Sequence, residues 1–277
     1  MLIRNAALPV WRAKWIDPEL PHDAESKQPA SYLHRRFPVD QAGNACLYVT
    51  CHGLYAAFLN GKRVGDFVLA PGTGDYRKRL TVQCYDVTEL LKAGENELLV
   101  ILGDGWYRGN VGIDGLRNFY GDDLALLCQM ELDGKAILWS DESWEASQQG
   151  PIRENDLEIG ETYDARLENI TAWHGVTVRN FGYSNLAPTE SVPILEQERF
   201  RGTFIKTPNG DTVVDFGQNL AGYRNCALLL KRVRKSPFGT GKHWMKTATS
   251  PRATLNRGTA TKTAAFLRKS NIPAKTA

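Results

Sequence analysis

The segment Gly103-Asp104-Gly105-Trp106-Tyr107-Arg108-Gly109 sets two aromatic rings, a carboxylate and a guanidinium among three glycines. Such a set suits a hydroxyl-rich ligand: a sugar face can stack on Trp106 or Tyr107 while Asp104 and Arg108 bind its hydroxyls. The plainer reading carries somewhat more weight, with the glycines serving tight turns and Trp106 plugging the end of the fold. A second polar cluster, Asn118, Tyr120, Asp122 and Asp123, could complete the same site, and Asp156, Glu161 and Asp164 could join it. These last three offer the hard oxygen ligands that Ca²⁺ takes, but without compact loop spacing, so solvated loop carboxylates are the simpler account.

Other chemistries find less support. Asp75-Tyr76-Arg77-Lys78-Arg79 is a short basic patch with one aromatic, which fits a solvated strand end or a salt-bridged corner better than a nucleic-acid surface. The five histidines are scattered with no HxxxH-like pair, His52 reads as a core or surface residue, and no GxSxG nucleophile motif occurs. Cys46, Cys51, Cys84, Cys128 and Cys226 show no CxxC or metal-like spacing and read as buried free thiols. No catalytic residue is assigned.

The elements that must position these groups read as strands. Residues 45–51 form a short apolar β-prone run, and Ala56-Ala57-Phe58-Leu59 leads into Asn60-Gly61, the strongest two-residue hairpin signal. Residues 124–132, then Asp133-Gly134, then residues 135–139 read as a second hairpin. Residues 98–102 are continuously apolar, as a sandwich-core strand should be, and residues 87–91 are the only plausible helical turn. Short strands at hairpin spacing predict an all-β fold, an antiparallel jelly-roll β-sandwich.

Charge divides the chain. Of 34 Lys and Arg, thirteen lie in residues 224–277, which hold no Asp or Glu; the first 223 residues carry the other 21 and all 31 acidic residues. The net +3 is therefore an average of two unlike parts, and any argument for polyanion binding rests on the last 54 residues alone. No run of 18 apolar residues occurs, so no membrane span is expected, and the first residues lack the apolar core of a signal peptide, which predicts a cytoplasmic protein.

The string Leu59-Asn60-Gly61-Lys62-Arg63-Val64-Gly65, with Tyr85-Asp86-Val87-Thr88-Glu89-Leu90-Leu91 and Gly94-Glu95-Asn96, resembles the sugar-binding jelly-roll modules attached to glycoside hydrolases. Sharper are Leu69-Ala70-Pro71-Gly72, the Asp75 to Arg79 run, the 103–109 segment, Tyr163-Asp164-Ala165-Arg166, and Asp215-Phe216-Gly217-Gln218-Asn219-Leu220-Ala221-Gly222-Tyr223. In this order they resemble the amino-terminal part of bacterial α-L-rhamnosidases of glycoside hydrolase family 78, over roughly residues 11–223. The resemblance implies binding of L-rhamnose-containing glycans, Ca²⁺ in some such modules, and an inverting hydrolase whose two carboxylates reside in an (α/α) barrel. No residue here matches those two. With it the chain divides into four regions. Residues 1–43 supply amino-terminal strands of an incomplete second sandwich, 44–170 the carbohydrate-binding-like sandwich (galactose-binding-like), and 171–223 a connector and the start of the next sandwich; the fourth region, 224–277, lies outside the resemblance and reads from its composition as a basic, disordered tail.

The tail is legible one nucleotide out of register. The few codons of His243-Trp244-Met245-Lys246 force Leu-Asp-Glu in the frame that starts at the last base of each codon, and the family has such a trio after its Gly-Gln-Asn strand. A frameshift near residue 223 or 224 is the inference. The expectation is a catalytically inactive amino-terminal rhamnosidase fragment, with a free-standing rhamnose-binding module as the alternative. Neither nucleic acid nor membrane is expected as a partner, and the oligomeric state is left open.

Overall fold

The computed structural model describes residues 1–18, 28–41, 43–112, 115–158 and 160–219. Cys226 and the basic tail lie outside the described residues. In chain order the strands are Leu2–Ile3 (β1), Trp15–Asp17 (β2), Ser31–Val39 (β3), Ala45–His52 (β4), Leu54–Leu59 (β5), Lys62–Arg63 (β6), Leu80–Asp86 (β7), Gly94–Gly103 (β8), Ala125–Leu132 (β9), Lys135–Trp139 (β10), Glu145–Ser147 (β11), Ile152–Glu154 (β12), Thr162–Tyr163 (β13), His174–Gly175 (β14), Thr177–Arg179 (β15), Leu186–Pro188 (β16), Thr203–Lys206 (β17) and Thr212–Asp215 (β18). One sheet runs β1-β7-β4-β9-β2-β15, with β10 on β9 and β16 parallel to β7; the other runs β14-β11-β3-β8-β5-β6. The fold is an antiparallel β-sandwich.

Alternation along the strands makes the core. Leu47, Val49 and Cys51 of β4 and Leu126, Cys128 and Met130 of β9 face Leu33 and Phe37 of β3, Tyr55, Ala57 and Leu59 of β5, and Leu98, Val100 and Leu102 of β8. The continuous apolar run of β8 has a simple cause. Its odd-numbered partners Leu99 and Ile101 point to the other side of the sheet, where Ala30, Tyr32, Leu54, Ala56, Phe58 and Ile152 bury them. Loops therefore cover the outer face of this sheet, and β8 needs apolar residues on both sides.

Both predicted hairpins form. Asn60 and Gly61 adopt φ of 53° and 77°, and Asp133 and Gly134 adopt 49° and 76°, the doubly left-handed turn whose twist matches the flanking strands. Cys46, Cys51, Cys84 and Cys128 are free thiols. The predicted turn at residues 87–91 appears as a 3-10 turn, Thr88–Leu90.

Two expectations need correction. Residues 1–43 do not form strands of another sandwich: β3 pairs with β8 over nine positions, Ser31↔Leu102 to Val39↔Gly94, and β2 pairs with both β9 and β15. Burying Leu33 and Phe37 against β4 and β9 requires β3 at the centre of the six-stranded sheet, a long-range pairing that local patterns do not encode. Likewise β15 and β16, assigned to a connector, complete edges of the eight-stranded sheet. Separately, β17 and β18 form a two-stranded hairpin with Phe204 72% exposed.

Candidate functional site

The 103–109 segment turns out to be helical at its centre. Gly105–Arg108 forms one turn, α1, entered through Gly105 at φ 54°, where a Cβ would run into the Leu54 side chain and the Gly53 backbone. This turn brings Arg108 back over Asp104. Arg108 Nε and Nη2 lie 2.9 and 2.7 Å from Asp104 Oδ1, with both side chains buried, and Arg108 Nη1 donates to the Asp122 carbonyl at 3.2 Å.

The pair is part of a larger buried network. Arg117 places Nη2 3.3 Å from Asp104 Oδ2 and Nη1 3.3 Å from Asp156 Oδ2, so one guanidinium joins two carboxylates assigned to different ligands in sequence. Asp156 Oδ2 also accepts from Asn110 N and Nδ2, each at 2.9 Å, and the Asn155 amide oxygen accepts from Asp104 N at 2.7 Å. Burial pushes the Asp104 carboxyl up from the ordinary carboxylate range, while Arg108 and Arg117 pull it back. Two carboxylates and two guanidiniums balance, which is how buried charges are tolerated.

The aromatics of the site pack on one another. Tyr107 is buried, stacks on His52 at 4.5 Å between centroids, and meets Tyr76 edge-on at 5.3 Å. Tyr120 lies 5.0 Å from Tyr76, and Arg77 sits over the rings of Tyr120 and Phe119 at 5.1 and 5.3 Å. Trp106 is half-buried between the two outer apolar clusters. Asn118 and Tyr120 hold the returning loop on α1, their N–H groups donating to the Arg108 and Tyr107 carbonyls at 3.1 and 3.3 Å. Of the sugar-site candidates, Trp106, Asn118 and Tyr120 are half-buried and Asp122 is exposed, whereas Asp104, Tyr107 and Arg108 are buried.

The three carboxylates weighed for Ca²⁺ lie in different surroundings. Asp156 is in the arginine network, and Asp164 is bound by its neighbour, with Arg166 Nε 2.9 Å and Nη2 2.5 Å away; this holds the Asp164 carboxyl down at about 2. Glu161 is half-buried. Among the described residues no group of three or more His, Cys, Asp or Glu side chains is arranged to hold a metal ion. No local pattern marks Arg117 as the bridge, since its partners lie 13 and 39 residues away.

Comparison with known proteins decides the family. The model of the alpha-L-rhamnosidase N-terminal domain matches residues 40–199. This chain belongs to the alpha-L-rhamnosidase N-terminal domain family. An alpha-L-rhamnosidase of Streptomyces avermitilis is 40% identical over 206 residues, covering 68% of this chain and 19% of its own length. One from Formosa agariphila is 34% identical over 71% of this chain and 22% of its own length. The crystal structure of the native Aspergillus terreus alfa-L-rhamnosidase superposes with a TM-score of 0.71 at 38% identity, over 76% of this chain and 26% of that one. The chain thus spans about a fifth of the length of these curated relatives and corresponds to their amino-terminal part. The match to the rhamnosidase domain begins at residue 40, yet β2 and β3, which precede it, are integral to both sheets.

Proposed function

We propose that this chain is the glycan-contacting, non-catalytic amino-terminal module of an enzyme that removes terminal α-L-rhamnose from glycans with inversion. The match of residues 40–199 to the rhamnosidase N-terminal domain carries the reading. An alpha-L-rhamnosidase of Streptomyces avermitilis, solved in complex with L-rhamnose, is 36% identical over 70% of this chain and 20% of that one, with a TM-score of 0.60; this supports a role beside a rhamnoside. Inverting hydrolysis needs a carboxylic acid to protonate the leaving oxygen and a carboxylate to activate water, about 6.5–9.5 Å apart. Asp104 and Asp156 do not suit those roles. Each is buried and ion-paired with arginine, whereas a catalytic carboxyl must reach the substrate.

Native gel electrophoresis through an L-rhamnose-containing polysaccharide tests the contact. Retardation of the chain is expected, and unchanged mobility at all polysaccharide concentrations would remove glycan contact from the proposal.

A further inference from the structure

A second polar cluster lies on the outer face of the six-stranded sheet, away from the α1 network. His34 of β3 stands directly across from Glu145 of β11, and Arg36 of β3 across from Glu97 of β8. His34 Nδ1 is 3.1 Å from Glu97 Oε1 and Nε2 is 3.2 Å from Glu145 Oε2, so both ring nitrogens face carboxylates. The imidazole lies flat on Trp173, with 3.9 Å between centroids and 26° between planes. Arg36 Nε reaches Glu97 at 3.4 Å, and Arg35 Nη1 donates to the Ser143 carbonyl at 2.8 Å. Together His34, Arg35, Arg36, Ser143, Glu145 and Trp173 line a groove of about 250 Å³. Glu97 lies on β8 seven residues before Asp104, which follows the strand, roughly 23 Å at about 3.3 Å per residue.

We infer that this groove is a binding subsite for a neutral, hydroxyl-rich ligand, one sugar residue of a glycan. The inference rests on the glycan-contacting reading of the module and gives that contact a place. Charge selects the ligand class: Arg35 and Arg36 oppose a cation, Glu97 and Glu145 oppose an anion, and the exposed carboxylates and guanidinium offer acceptors and donors to a ring of hydroxyls. Trp173 supplies the apolar wall for the C–H face of a sugar. Its orientation is set before binding, because one face of the indole lies on His34, itself held by two carboxylates, and a preset aromatic costs less ordering when the ligand arrives at the rest of the ring. The volume is below the roughly 300–1,000 Å³ of drug-sized sites and suits one ring.

Calorimetric titration of the full chain with L-rhamnose, D-galactose, D-glucose and inorganic phosphate tests this. At least one of the sugars is expected to bind and phosphate is not, with Trp173→Ala weakening the sugar by about tenfold or more and Glu145→Gln by several-fold. Glu145 is exposed, so E145Q decides the matter if W173A fails to fold. Wild-type affinity in both variants would overturn the subsite while leaving glycan contact standing. Binding of phosphate in place of sugar would overturn the ligand class, and no binding of any sugar by the unaltered chain would overturn the subsite, glycan contact itself being decided by the polysaccharide gel.

Discussion

Arg108 Nη2 lies 2.7 Å from Asp104 Oδ1, four residues earlier, and neither side chain reaches solvent. A loop that reads as a sugar-binding surface is, in its charged members, an internal brace that ties α1 to Arg117, Asp122, Asn155 and Asp156.

Removing one member of this brace leaves the others buried and uncompensated. Asp104→Ala should cost about 3–5 kcal/mol, the usual penalty for breaking a buried ion pair. In a chain of this size that lowers the thermal midpoint by on the order of 10 °C. Differential scanning calorimetry reads it, and a midpoint within about 2 °C of the unaltered chain would show that the network is not bearing that load.

His52 gives a pH dependence whose direction can be fixed. It is buried between the rings of Trp15, Tyr107 and Phe181, and among the described residues its Nδ1 has no hydrogen-bond partner, so burial lowers its pKa to about 4. The unfolded chain takes up this proton near pH 6.5, before the folded one does. Stability is therefore full above about pH 6.5 and falls towards pH 4, by about 3 kcal/mol from this group. Urea unfolding of His52→Phe across that window should show a flatter profile than the unaltered chain.

The thiols divide by burial. Cys51 and Cys128 are fully buried and their pKa values are raised by desolvation, whereas Cys46 is half-buried. Titration with Ellman's reagent should label Cys46 in the native state and leave Cys51 and Cys128 unlabelled until denaturant is added, as peptide mapping would show.

Calcium should not stabilise this chain. Asp156 and Asp164 already face arginines, so millimolar CaCl₂ is expected to leave the thermal midpoint where EDTA leaves it. A rise of several degrees would return Asp156, Glu161 and Asp164 to a metal site.

Much of the fold is legible in local pattern, and the reason is local physics. Asn60-Gly61 and Asp133-Gly134 announce their hairpins because few other pairs accept two positive φ angles, and β8 announces itself because both of its sides are buried. What stays hidden depends on distance along the chain. Nothing near β3 says that it belongs between β8 and β11, and nothing near Arg117 says that it will join Asp104 to Asp156. The one-turn helix Gly105–Arg108 escapes periodicity because four residues are too few to show a period. Asp104 and Arg108 are the charged pair that the 103–109 motif displays. Their burial, which sequence does not report, makes them partners of each other, while the groove beside Trp173 assembles from three strands, β3, β8 and β11, and two loops that share no motif.

The central claim is that this chain is the non-catalytic amino-terminal part of an α-L-rhamnosidase, and turnover measures it most directly. Incubation of the purified chain with p-nitrophenyl α-L-rhamnopyranoside, followed at 405 nm, is predicted to release nitrophenol no faster than buffer alone. Release that scales with the amount of chain, and survives repurification, would contradict the account by requiring a catalytic carboxylate pair within these residues.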